Sequence, residues 1–169
     1  MINIIDSFVL LIVFGGDGNT NVKISKCDPN CTDQHVEDVS LLDADSFVPF
    51  TIYFTYGNIQ LSYDNDRGQI FWEDPLYDIF YDAVSFLGFG TRTQNGLWYF
   101  NTFCAQQISQ RCDELFTYAS DTYSWGLPQL EGPEIMIDLS VKAKRGAEIV
   151  LSLTQGPPGD ILYSISKYR

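Results

Sequence analysis

A single histidine, His35, stands in the 169 residues, and it lies in an acidic, polar stretch. No G-x-S-x-G elbow accompanies it, so a Ser–His hydrolase is excluded, and His35 reads as a solvated loop residue. Long apolar runs are also missing. The strongest, residues 8–14 (FVLLIVF), is too short to cross a bilayer. Its leader MINIIDS carries an acid and no base, unlike a signal peptide, so the run reads as a buried strand. Basic residues are scarce: ten Lys and Arg face 22 Asp and Glu, a net charge of −12. Phosphate backbones and anionic lipid surfaces repel such a chain, which excludes nucleic acid as a partner and gives no membrane insertion. Finally, no segment combines a sustained helical period with caps.

Strand signals fill what remains. Hydrophobic residues make up 45% and aromatics 15% of the chain, the composition of one globular domain rich in strand-forming rings. The run Ile5–Phe14 is broken by Gly15, Gly16 and Gly18, and Asn21–Ser25 alternates after it, giving a hairpin. Residues 26–46 read as a loop with one short strand near Val39–Leu42. Phe47–Phe54, Ile59–Tyr63 and Gln69–Trp72 form a meander with turns between them. Residues 73–82 read as a loop or one helical turn, 83–90 and 97–103 as further strands. Glu134–Ala143, Ala147–Leu153 and Ile161–Ser166 are the last three strands. This is the pattern of an all-β antiparallel sandwich, jelly-roll-like. Residues 1–103 hold its main part, 104–133 a cysteine-bearing connector, and 134–169 a closing set of strands.

Cys27, Cys31, Cys104 and Cys112 form two local pairs, which fits two disulfides and an extracellular or secreted setting. Free thiols and zinc are the competing readings. Zinc suits the Cys27–Cys31 spacing but not that of Cys104 and Cys112. Asn30-Cys31-Thr32 is a formal glycosylation sequon with a cysteine at its centre.

Chemistry-bearing patterns are thin. The glycine turn after Phe14 imitates the start of a nucleotide-type cofactor site, but a β-like segment follows where a helix N-terminus is needed. Glycines serving a tight hairpin with positive φ explain it. The acid pairs Asp43 and Asp45, Asp64 and Asp66, and Glu73 and Asp74 lie in turns rather than across a cleft. Asp64 to Asp66 alternate like part of a calcium loop but lack its distal glutamate. Trp72 and Trp98 sit in apolar strand patterns and read as core. Trp125, in the connector, is the better candidate for exposure, and Tyr53, Phe54 and Tyr56 straddle a turn at a sandwich end.

Several segments together resemble the farnesoic acid O-methyltransferase-like domain of arthropods and other animals, often found in tandem copies. They are IDLSVKAKRGAEIVLSL with DILYSIS, GGDGNTNVKIS, the stretch FVPFTIYFTYGNIQLSYD, and FLGFGTRTQNGLWYF. Their order is shifted: residues 1–103 resemble the later part of one copy and 134–169 the start of another. The resemblance implies a circularly permuted sandwich, closed by pairing of 135–166 with 5–14, or strand exchange with a neighbouring copy. It implies one unit of a repeat protein; the lack of a catalytic constellation in an acidic, cysteine-paired β domain points to a module that recognises a glycan or protein ligand without a cofactor, leaning away from catalysis. Tyr56, Asp64, Asp66 and Trp125 are the candidate ligand-binding residues. The alternative, carried by the family's name, is S-adenosylmethionine-dependent methyl transfer to a farnesoic acid-like terpenoid.

Overall fold

A computed structural model describes residues 9–55, 58–63, 68–73, 85–92, 94–101, 115–117, 123–132, 134–152, 155–157 and 159–168. Its strands are β1 (Val9–Gly15), β2 (Asn21–Asp28), β3 (Asn30–Glu37), β4 (Val48–Thr55), β5 (Asn58–Tyr63), β6 (Gly68–Glu73), β7 (Phe86–Thr91), β8 (Gly96–Phe100), β9 (Leu115–Thr117), β10 (Glu134–Lys142) and β11 (Ala147–Ser152). A single turn, α1 (Gly16–Asn19), joins β1 to β2, and a terminal helix, α2, spans Gly159–Tyr168. The strands build two antiparallel sheets, β3-β2-β1-β11-β7 (sheet A) and β6-β5-β4-β10-β8-β9 (sheet B). The molecule is an all-β sandwich.

Alternation places one face of each strand between the sheets. From sheet A, Leu10, Ile12, Phe14, Ile24, Leu87 and Ile149 point inward, and from sheet B, Phe50, Ile52, Leu61, Ile137, Leu139 and Trp98 meet them. Rings cross the gap: Phe14 lies 4.5 Å from Phe50 and Phe89 lies 5.5 Å from Trp98, between centroids. Trp72 and Trp98 are both buried in this layer. The indole of Trp98 donates to Thr117 Oγ1 at 3.3 Å, so its one polar group is satisfied inside the core.

The consecutive strands β10 and β11, one in each sheet, carry the sandwich. Leu10 to Phe14 of β1 pair in register with Leu151 to Ala147, and β11 also pairs with β7. β10 pairs with β4 over Glu134–Val141 and with β8 at its far end. Every residue of β1 and β11 is buried, because both faces of sheet A are covered. That is why FVLLIVF is continuously apolar rather than alternating.

The covering element corrects the sequence expectation. Ile161–Ser166 is not a strand; it belongs to α2, whose Ile161 and Ile165, one helical turn apart, pack with Val9, Leu11, Val13 and Val150 on the outer face of sheet A. Apolar residues at 161, 163 and 165 also satisfy period two, and over so short a run the two periods cannot be told apart. The prolines and Gly159 just before it mark a helix entry. A second correction is β3. Residues 30–37 were expected in a loop, yet NCTDQHVE pairs with β2, with a bulge between Ile24 and Ser25. As a polar edge strand it has no apolar face to announce it. His35 therefore sits on a strand, 3.5 Å from Glu37. Val39–Leu42 is not a strand.

Cys27 and Cys31 face each other across the β2–β3 hairpin and are disulfide-bonded. Cys104 and Cys112 lie outside the described residues, as does the segment 73–82 beyond Glu73. Within the connector, Leu115–Thr117 form β9 beside β8, and residues 123–132 run along the edge of β7. Ser124 exchanges backbone hydrogen bonds with Phe89, and the amide of Leu130 donates to Ser85. A carboxylate fixes this arrangement. Glu148, fully buried on β11, accepts from Arg92 Nε and, at 2.5 Å, from the hydroxyl of Tyr123.

Replacing Ile165 by Ala removes the innermost anchor of α2. It is expected to cost about 2–4 kcal/mol, read as a lower midpoint in urea denaturation with loss of helical circular dichroism.

Candidate functional site

One end of the sandwich gathers α1, the segment linking β3 to β4, the end of β5 and the β10–β11 turn. The glycine turn begins this assembly. Gly15, Asp17, Gly18 and Asn19 all have positive φ, from 49° to 82°. A Cβ on Gly15 would come within 2.6 Å of Leu42 Cδ1, so both the backbone conformation and the packing require glycine there. The turn is thus a tight reversal into β2, which lies antiparallel to β1. A strand, not a helix N-terminus, follows it.

Asn19 converts that turn into an anchor. Its Nδ2 donates to the Leu42 carbonyl at 2.8 Å and its Oδ1 accepts from the Leu42 amide at 3.0 Å. Leu41 and Leu42 are buried. Asp43 continues the fixing: its Oδ1 accepts from the amides of Asp45 and Ser46, its Oδ2 from the Ser46 hydroxyl, and its carbonyl from the Ala143 amide. These bonds hold the Asp43 carboxyl below its ordinary value of 3.8, the Asp45 amide contributing most, then the Ser46 hydroxyl, with Lys142 adding a favourable charge.

The loop so held forms one wall of an open cleft of about 390 Å³. Val39, Ser40, Asp43, Ser46 and Phe47 line it together with Val48, Pro49 and Tyr63. Phe47 is exposed. Tyr63 lies across Gly68 at the start of β6, in the space a Cβ there would take. The lining of this open concavity thus includes two aromatic residues, two serines and Asp43.

The sequence-predicted residues distribute differently. Tyr56, Asp64 and Asp66 lie outside the described residues. The strand residues flanking Tyr56 (Thr55 and Asn58) and those flanking the Asp64–Asp66 turn (Tyr63 and Gly68) are at opposite ends of β5. The cleft borders the second of these. Trp125 is half-buried on the outer face of sheet A, over Gly88 and edge-on to Tyr123 at 6.4 Å. It does not line the cleft. Ser40, Asp43, Ser46 and Phe47 were missed as a group. Their only sequence signal is Asp43-x-Asp45-Ser46, an Asx-turn pattern, ahead of an aromatic.

Comparison with protein-family models, curated proteins and solved structures finds no match for this chain. Among the described residues no helix is long and apolar enough to cross a membrane.

Asn19→Ala removes both anchors of Leu42 and is expected to cost about 1–3 kcal/mol in thermal unfolding. Asn19→Gly keeps the backbone conformation but not the bonds, so a similar loss in that variant assigns the effect to the anchor. The Asp43 carboxyl favours the folded loop at every pH above about 3.8. That contribution fades as the pH falls through its lowered folded value. Carboxyl carbon NMR is expected to place its titration below 3.8, with amide exchange at Asp45 and Ser46 accelerating over the same interval.

Proposed function

We propose that this chain is a non-enzymatic recognition module, one unit of an extracellular repeat protein, that binds a glycan or protein ligand in the cleft between the 39–48 loop and Tyr63. The observation that carries this reading is the preformed loop. Its conformation is fixed by Asn19 and Asp43 before any ligand arrives, which removes the ordering cost that weakens binding by mobile loops. Tyr63 and Phe47 offer ring faces to a sugar or to an apolar side chain, while Ser40, Ser46 and Asp43 supply hydroxyl and carboxylate partners. The Cys27–Cys31 bond supports an oxidising compartment. The likeness to tandem farnesoic acid O-methyltransferase-like domains supports a repeat context and rests on the residue patterns alone.

Screening the full chain on a glycan array and against cell-surface protein fractions tests the reading. Saturable binding is expected, with at least a tenfold loss in Tyr63→Ala. Gly68→Ala, which forces the Tyr63 ring from its seat, is expected to give a comparable loss. The two variants should unfold cooperatively. Calorimetry with S-adenosylmethionine distinguishes the methyltransferase alternative: binding heat there, with inert behaviour on the array, would sink the recognition module.

A further inference from the structure

The two outer faces of the sandwich differ. That of sheet A is covered by α2 and the segment around Trp125. On sheet B the outward side chains fall into registered rows. Phe71 lies opposite Gln60, Gln60 opposite Tyr53, and Tyr53 opposite Met136, one residue from each of β6, β5, β4 and β10. Phe71 is 59% and Met136 55% exposed, the two most exposed large apolar side chains among the described residues. The adjacent row begins at Glu73 and ends at Glu134, both exposed, with Asn58 and Thr55 between them. Asp138 adds a third carboxylate, and the outward positions of these four strands hold no Lys or Arg as far as Ser140. The aromatic row feels this charge. Burial, then the negative charge and hydrogen bond of Glu134, push the Tyr53 phenol above its ordinary value.

A row carrying two rings and a thioether, beside one with a carboxylate at each end, is complementary to a cation on an apolar stem. We propose that this face docks an extended basic segment of a partner polypeptide, crossing the strands, with its cationic side chains on Glu73 and Glu134 and their stems over Phe71, Tyr53 and Met136. The spacing makes the proposal specific. Three strand gaps of about 4.8 Å separate β6 from β10, roughly 14 Å. In an extended chain, side chains four residues apart share a face and stand about 13 Å apart. Cations at i and i+4 therefore reach both carboxylates, whereas cations at i and i+3 point to opposite sides. The net charge of −12 steers such a partner toward the molecule and opposes docking of a second copy of the same chain. The face is separate from the cleft, and the proposal does not rest on the function assigned there.

The test uses the full isotopically labelled chain and two synthetic peptides of Thr and Val, with lysines either four or three apart. With the first peptide, saturable amide shifts are expected around residues 53, 60, 71 and 136, weakening as salt is raised. Glu73→Gln and Glu134→Gln, both at exposed positions, are each expected to weaken binding about three- to fivefold without changing the melting temperature. The three-apart peptide is expected to lose a similar factor on the native chain. Four results overturn the proposal: no saturable shifts, shifts centred on the 39–48 loop, indifference to both glutamine variants, or a concentration-dependent rise in mass without peptide.

Discussion

Everything in this fold depends on the consecutive strands β10 and β11, which cross from one sheet to the other and sit inside each. β10 sits between β4 and β8, and β11 between β1 and β7, so the chain's late strands bridge elements made much earlier. Such pairings close long loops, which costs chain entropy before any contact is gained. The cost is met by burial: Ile137, Leu139, Val141, Ile149, Val150 and Leu151 are each at most 1% exposed. The turn between the two strands is tied at both sides, with the Gly146 amide donating to Gly15 and the Arg92 amide to Gly146. The same turn meets the 39–48 loop through Ala143 and Asp43. The cleft is thus a product of how the two sheets are joined.

The sandwich was legible where strand chemistry and burial agree. β4, β5, β10 and β11 show apolar alternation or continuous apolar runs bounded by turn residues, and those signals survive without neighbours in view. Legibility failed where a residue's environment is set by something distant. The α2 segment reads as a strand until sheet A's outer face is seen to need a cover. β3 carries little apolar surface because it is an edge strand that pairs with β2. The site was less legible than the fold. Asn19 looks like a turn former, and its bonds to Leu42 span 23 residues. Asp43 and Ser46 look like ordinary loop polarity. Trp125, singled out for its place in a polar connector, is held by Gly88, whose missing side chain makes room for the indole.

Charge placement separates the two sides of the molecule. On sheet A's outer face the polar groups are paired: Ser25 with Asp33, Lys23 with Asp17, and the buried Glu148 with Arg92 and Tyr123. Sheet B's outer face leaves acids and rings at the surface. One sheet is therefore built as an interior layer with a helix over it, while the other keeps an exposed outer face, although both present the same strand geometry to the shared core.

Glu148 carries a consequence for how this sequence can drift. A carboxylate with no solvent contact is held by a guanidinium on one strand end and a phenol from the connector, and removing either weakens the compensation of a charge in a low-dielectric layer. The three positions are bound as a unit. Single replacements are costly, on the order of 3–5 kcal/mol for a broken buried pair, while a joint exchange for apolar residues of matching volume is open. Across a lineage, positions 92, 123 and 148 should therefore change together or stand still, leaving a record of the connector's docking in sequence alone.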